Sequence, residues 1–297
     1  MINYDNFNEY YKAAINQGSD IEKAITSKSI DRWRHLRMLS NIVPFICQDS
    51  TWLTIGDGRG GTEARYLQEH GADAHATDLS DELLKVAHNA GLIKSYSVQN
   101  AESLSFNDNS FDYVLIKEAL HHLPRPWIGV YEALRVCKKA VIIIEPNDKR
   151  PNLLPADTIL RSLKNSIKNI LKRGTIQPLD RYQFEEVGNF VFSTNHVELE
   201  KLLLAMHYRS ISYYYINDLY SPKLALLPTI NSLGEESKQL KKLKTYLSYL
   251  DILCCMGIWR STLITAALYK QTPSEELIEQ LKQSGWKHKA LPKNPYL

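Results

Sequence analysis

The chain has 297 residues, 44% of them hydrophobic and 23% charged, the composition of an ordinary globular protein rather than a disordered chain, a collagen or a coiled coil. Lys and Arg number 36 against 33 Asp and Glu, a net charge of +3; no broad basic field exists for gripping phosphates, so no nucleic-acid partner is expected. At roughly 100–200 residues per domain, the length allows one large domain or two small ones. The four cysteines, Cys47, Cys137, Cys254 and Cys255, form no C-x-x-C pair and read as reduced thiols, mostly in the core. The N-terminus lacks a basic segment followed by an apolar run, so no signal peptide is expected and the location expected is cytoplasmic. The most apolar window, 252–269, is cut by Arg260, Ser261 and Thr262. It is too broken for a spanning helix and reads as a buried helix followed by a buried strand.

Taken in chain order, residues 8–48 read as helix, with Trp33, Leu36, Leu39 and Ile42 on one face. From 52 to 145 short apolar runs alternate with amphipathic stretches. Strands are expected at 52–55, 72–77, 96–98, 111–116 and 140–144, and helices at 61–70, 80–90 (capped by Ser80) and 126–137. Strand–helix alternation with nearly all-apolar strands implies a parallel sheet covered on both faces. The pattern resumes with a helix over 196–206 and strands over 209–216 and 261–269. Two segments break the alternation, 150–194 and 217–260, and read as insertions into one α/β domain.

The first strand ends in Thr54-Ile55-Gly56-Asp57-Gly58-Arg59-Gly60-Gly61. Glycines there let backbone N–H groups approach a ligand, and the following helix start adds a positive dipole end. Asp78 ends the second strand, where a carboxylate can accept both hydroxyls of a ribose. A tight turn and a helix cap would use the same residues, but the strand–turn–helix–strand–acid order favours a nucleotide-type ligand. Gly56, Gly58 and Gly61 also satisfy the G-x-G-x-x-G of nicotinamide enzymes. The only Tyr-x-x-x-Lys pair is Tyr113 and Lys117; on a strand these lie about 13 Å apart, too far for a proton relay.

Across residues 52–147 the chain resembles the class I S-adenosylmethionine-dependent methyltransferases, in particular the small-molecule methyltransferase 11 branch. The resemblance runs through ordered blocks: WLTIGDGRGG, HATDLS, QNAESLSF, SFDYVLIKEALHHLPRP and AVIIIEPND. It implies an α/β, Rossmann-like fold with a mainly parallel seven-stranded sheet and helical insertions, and S-adenosylmethionine as cofactor. It also implies roles: Gly56, Gly58 and Gly60 around the methionine part of the cofactor, Asp78 on the ribose, Leu79 against the adenine, and Asn100, Ala101 and Glu102 along its edge. Lys117 and Glu118 fall where methionine carboxylate and acceptor meet; Lys117 either pairs with that carboxylate or reaches water. The chain departs from the family at Thr54, where an acid is usual, at Asn100, where the adenine-binding acid is usual, and at Ser105. Asp57, inside the turn, is a candidate for the missing acid's polar role.

His121 and His122 follow the fourth strand, on the side where open α/β sheets bind ligands, and histidine titrates in the range a general base needs. One is expected either as base for a hydroxyl acceptor or as a loop-positioning residue. Glu145 ends the fifth strand on the same rim and either binds a polar acceptor, orients a histidine or holds loop backbone. No metal-ligand spacing is present, so no metal is expected. Residues 156–173 read as a basic amphipathic helix: a lid, a membrane-surface contact or a clamp for an anionic acceptor. The aromatic residues Tyr182, Phe184, Phe190, Phe192 and Tyr213 to Tyr215 divide between core and acceptor in a way the sequence leaves open.

The expected organisation is an N-terminal helical cap (1–50), a cofactor-binding core (51–149), a helical acceptor lid (150–194), the rest of the core (195–270, with insertion 217–260) and a C-terminal tail (271–297). The expected activity is methyl transfer to a small polar acceptor, most readily a hydroxyl on a sugar or glycan precursor or another small metabolite. N-methylation of a small molecule and a non-catalytic cofactor-binding scaffold are the alternatives. No stable membrane insertion is expected, and the oligomeric state is left open.

Overall fold

A single sheet frames the computed structural model, which describes residues 28–148, 190–293 and 295. Its strands are β1 (Thr51–Ile55), β2 (Asp73–Asp78), β3 (Tyr96–Val98), β4 (Phe111–Lys117), β5 (Cys137–Pro146), β6 (Ser210–Ile216), β7 (Leu263–Tyr269) and β8 (Lys287–Ala290). They lie in the order β3-β2-β1-β4-β5-β7-β6-β8. The first five pair in parallel; β7 runs antiparallel to β5 and β6, and β8 antiparallel to β6. The strand order reverses beside β1, which has β2 on one side and β4 on the other, so a crevice opens at the carboxyl ends of β1 and β4.

The helices are α1 (Ile30–Leu39), α2 (Thr62–Glu69), α3 (Glu82–Asn89), α4 (Pro126–Val136), α5 (His196–Ala205), α6 (Pro222–Ala225), α7 (Lys238–Cys255) and α8 (Glu275–Gln283). Alternation along β5 explains why its sequence has no polar face. Ile142 and Ile144 join a core with Met38, Leu39, Phe45 and Trp52, while Val141 and Ile143 join one on the opposite face with Leu53, Val130, Leu134 and Leu199. At ~25 cal/mol per Å² of apolar surface, burial on both faces is the main stabilising contribution of these central strands. A third, smaller cluster joins Ile30 of α1 to Leu240, Leu243 and Leu247 of α7, which ties the 217–260 insertion to α1.

Several expectations change. The sheet has eight strands, because the segment expected as a tail carries α8 and β8. Ser274 caps α8, and β8 is an edge strand of Lys and His with no apolar alternation to betray it. The described part of the N-terminal helix breaks after Leu39 into a 3₁₀ turn containing Pro44, whose ring cannot continue an α-helix. Ser80 does not cap α3; its N–H donates to Asp78 Oδ1, and the helix starts at Glu82. The apolar window from 252 is not a buried helix: Ile252, Met256, Ile258 and Trp259 are exposed. Of the cysteines, Cys137 is buried, while Cys47 and Cys255 are exposed. The 156–173 helix and Tyr182 and Phe184 lie outside the described residues. Among the described residues no helix is long and apolar enough to cross a membrane, and no cluster of three metal-type side chains exists.

Candidate active site

The glycine turn is forced by its neighbours. Gly56 has φ +77°, and a Cβ there would sit 2.2 Å from the Ala119 Cβ across the crevice. A Cβ on Gly58 would lie 2.6 Å from Asp78 Oδ2, which instead accepts the Gly58 N–H at 2.9 Å. Gly60, at φ +79°, is also in the left-handed region. The turn therefore lays bare backbone directly against the acid that ends β2. Asp78 is buried, and its carboxyl is pushed up by desolvation against the pull of the backbone N–H groups of Ser80 and Gly58. A carboxylate offers about four lone-pair sites, so these bonds leave acceptor capacity for ribose hydroxyls.

Asp57 points elsewhere. Its Oδ2 accepts the Thr54 hydroxyl at 2.8 Å and the Ala64 N–H at 2.9 Å, and Oδ1 accepts the Glu63 N–H at 3.2 Å. It therefore satisfies orphan donors at the start of α2. Asp57 and Thr54 form one buried unit, which accounts for the unusual residue at 54. Burial, together with Glu63, pushes the Asp57 carboxyl well above the ordinary range.

The third block is mostly committed to its own loop. Asn100 Oδ1 accepts the Glu102 N–H at 2.9 Å, and Ala101 belongs to the core. Glu102 accepts from the backbone N–H and Nε of Arg125, both at 2.7 Å. Its carboxylate thus clamps the loop before α4. Leu79 is half-buried beside Asp78.

At the end of β4, Lys117 is buried with Nζ 2.7 Å from Glu63 Oε1 and 3.5 Å from Glu118 Oε2. Burial lowers its affinity for a proton, but the two carboxylates outweigh that and hold it charged. Burial likewise favours neutral Glu63, yet Lys117 and Asp57 keep that carboxyl below the usual range. Lys117 is thus already ion-paired. Glu118 takes φ +48°, a conformation that costs a non-glycine residue about 1–3 kcal/mol and concentrates at functional sites. It turns the Glu118 carboxylate toward α1, 3.5 Å from His35 Nδ1.

The 3₁₀ turn Leu120–His122 is held from below by Glu145. The Glu145 side chain is fully buried; Oε1 accepts the N–H groups of Ala119 (2.9 Å) and Leu120 (2.7 Å), and Oε2 accepts from His121 Nδ1 at 2.5 Å. One carboxylate thereby fixes both the loop backbone and the imidazole. A donor bond at Nδ1 leaves Nε2 as the basic nitrogen. The His122 ring lies 4.0 Å from that of His121, centroid to centroid.

A cavity of about 280 Å³ opens over these groups. It brings together Gly56, Lys117, Glu118, His121 and His122 of the expected residues; Glu145 lies beneath it. Asp57, Gly58, Gly60, Asp78, Leu79, Asn100, Ala101 and Glu102 lie outside this cavity, at or after the carboxyl ends of β1, β2 and β3. The cavity also has walls the sequence reading missed: Arg34 and His35 from α1, Arg59, Glu63 and Tyr220. Arg34 is buried and bidentate to Asp218, with Nε 3.0 Å from each carboxylate oxygen, and pairs with Asp31 at 2.6 Å. Burial raises the Asp31 carboxyl, but His35, Arg59 and Arg34 overcome this and hold it at about 2. The run Arg32-Trp33-Arg34-His35 was the available signal, masked by the apolar face of the same helix.

A family model described as a methyltransferase domain matches residues 53–144, the span that contains the glycine turn, Asp78, Lys117 and both histidines. Residues 53–144 are a methyltransferase domain. Its cofactor is S-adenosylmethionine. The chain is 34% identical over 101 residues to phosphoethanolamine N-methyltransferase 2 of Caenorhabditis elegans, a match covering 31% of this chain and 23% of that one. It is 30% identical over 155 residues to a ubiquinone biosynthesis O-methyltransferase of Coxiella burnetii, covering 46% and 61%. It is 28% identical over 145 residues to the ubiquinone/menaquinone biosynthesis C-methyltransferase UbiE of Rhizobium meliloti, covering 46% and 56%. The chain thus spans between 23% and 61% of the length of these relatives. By their names they methylate nitrogen, oxygen and carbon, so the methyltransferase domain alone does not select the accepting atom. Its turn does fit the cofactor: the space that a Cβ on Gly58 would fill lies directly beside the carboxylate of Asp78.

Proposed function

We propose that the protein methylates a hydroxyl on a small polar acceptor, with His121 as general base. The observation that carries this reading is the His121–Glu145 pair, 2.5 Å apart, on a cavity that also contains the cofactor turn at Gly56. S-adenosylmethionine supplies an electrophilic methyl group on a sulfonium. Backbone at Gly56, Gly58 and Gly60, with Asp78, holds the cofactor, and Leu79 and Asn100 flank its base. Glu145 locks the His121 tautomer and stabilises the imidazolium that forms when Nε2 takes the hydroxyl proton. His122 and Glu118 bind the acceptor. The walls are rich in hydrogen-bonding side chains, which suits a polyhydroxylated acceptor such as a sugar or glycan precursor. The composition supports two further parts of the reading: a small net charge without a nucleic-acid partner, and reduced thiols in a cytoplasmic setting.

The test is transfer of a labelled methyl group across a panel of sugar, phenol and amine acceptors. Methylation of oxygen that falls ~10²–10⁴-fold in His121→Asn, with unchanged cofactor binding, supports the reading. Methylation of an amine that survives His121→Asn replaces it with N-methylation. Cofactor binding with no transfer to any acceptor class favours the scaffold reading.

A further inference from the structure

The long helix of the 217–260 insertion has two apolar faces. The inner one, Leu240, Leu243, Leu247 and Leu250, is buried. The outer one has no cover among the described residues: Tyr246, Tyr249 (56% exposed), Ile252 (58%) and Met256 (64%) follow one another at spacings of three and four, which places them on a single stripe. The turn after the helix continues it with exposed Ile258. Single exposed apolar residues are ordinary, but a row of five is not.

The same stripe begins with Lys238 and Lys242, at four-residue spacing before Tyr246, and Lys241 flanks it; all three are exposed. The first turn of α7 contains no acidic residue, so these lysines sit where the helix dipole disfavours positive charge. Helix stability therefore does not explain them. Lys244 has a different use, in an ion pair with Glu236. The stripe from Lys238 to Met256 is about 27 Å long at 1.5 Å per residue. It combines cationic ends that extend from an apolar stem, amphipathic tyrosines and an aliphatic end, the make-up of a helix that lies in the plane of a bilayer interface.

We propose that the outer face of α7 docks on an anionic lipid bilayer, with Lys238, Lys241 and Lys242 at the headgroups and Tyr249, Ile252 and Met256 in the apolar boundary. Charge complementarity selects the lipid: a neutral surface leaves the lysines without a partner. The inner face of α7 packs on α1 through Ile30, and α1 contributes Arg34 and His35 to the cavity. Docking thus holds the cavity wall beside the membrane. This inference does not depend on the identity of the methyl acceptor.

The experiment is sedimentation of the full chain with phosphatidylcholine vesicles and with phosphatidylcholine–phosphatidylglycerol vesicles, together with analytical ultracentrifugation of the chain alone. Binding to the anionic vesicles is expected, weakening with salt. Lys238→Gln with Lys242→Gln is expected to lower the partition coefficient roughly thirtyfold. Tyr249→Ser, Ile252→Ser and Met256→Ser together lower it by about a hundredfold or more, with thermal unfolding confirming that the variants fold. The lysine pair tests the idea even if the apolar variant fails to fold. Absence of binding to anionic vesicles, equal binding to neutral ones, or binding unaffected by the lysine variant overturns the proposal. Self-association of the free chain that the serine variant abolishes also overturns it and assigns the face to a second copy.

Discussion

The β1–β2 end of the site and its β4–β5 end are built from different materials. At the first, bare backbone does the shaping: Gly56 at positive φ and Gly58 against Asp78 leave no room for a Cβ. At the second, side chains do it, through Lys117 buried on Glu63, His121 on Glu145, and Arg34 bridging α1 to Asp218. A backbone-built site tolerates almost no substitution but needs few partners. A site built from buried ion pairs fails by a different route, because removing one partner leaves the other charged and unsolvated.

The largest expected effect falls at the backbone end. Gly58→Val drives a branched side chain into the Asp78 carboxylate, and calorimetry should detect no S-adenosylmethionine binding while circular dichroism still shows the fold. Gly56→Ala should behave similarly at the Ala119 contact. Retained binding in both would erase the distinction between the two ends.

Next is the base. His121→Asn should lower the rate ~10²–10⁴-fold and remove the rise of rate with pH expected of the parent, with little change in cofactor affinity. Glu145→Gln should lower both rate and stability, since this carboxylate also satisfies two backbone N–H groups, each charged bond being worth ~1.5–3 kcal/mol. A stability loss with an unchanged pH–rate profile would reduce Glu145 to a loop anchor.

Lys117→Met tests the ion-pair end through stability rather than rate. It leaves Glu63 buried without its cation, at an expected cost of about 3–5 kcal/mol in chemical denaturation. The smallest effect is on acid sensitivity. Glu63 and Asp31 are held below the ordinary carboxylate range in the folded chain. Their stabilisation is complete above about pH 5 and lost as pH falls toward 2. Asp31→Asn should flatten that decline and lower stability near neutral pH by about 1–2 kcal/mol, the stabilisation that the charged carboxylate supplies there.

The same contrast decides what was legible beforehand. Glycines mark the positions where a backbone needs them, so Gly56, Gly58 and Asp78 stood out together. The histidines and Glu145 were legible as positions on a rim, but the sequence left their pairing open. For Asp57 and Glu102 the sequence left the partners open, because a buried carboxylate can serve a helix start or an arginine as readily as a ligand, and only the fold shows which donor is near. Arg34 was not placed in the site because its charged run shares a helix with an apolar face and its partner lies 184 residues away. In the sheet, β1 to β7 announced themselves by apolar runs. At the polar edge, β8 had no such signal, and the exposed stripe on α7 was mistaken for core because hydrophobicity alone does not say which side of a helix is covered.

The most direct test of the account is calorimetric titration of S-adenosylhomocysteine into the parent, Asp78→Ala and His121→Asn. It requires no knowledge of the acceptor and separates the two ends of the site. The account predicts that Asp78→Ala loses roughly a hundredfold or more in affinity, from two bonds to a charged acceptor, while His121→Asn binds like the parent. Parent-like binding by Asp78→Ala, or loss of binding in His121→Asn alone, would contradict the placement of cofactor and base.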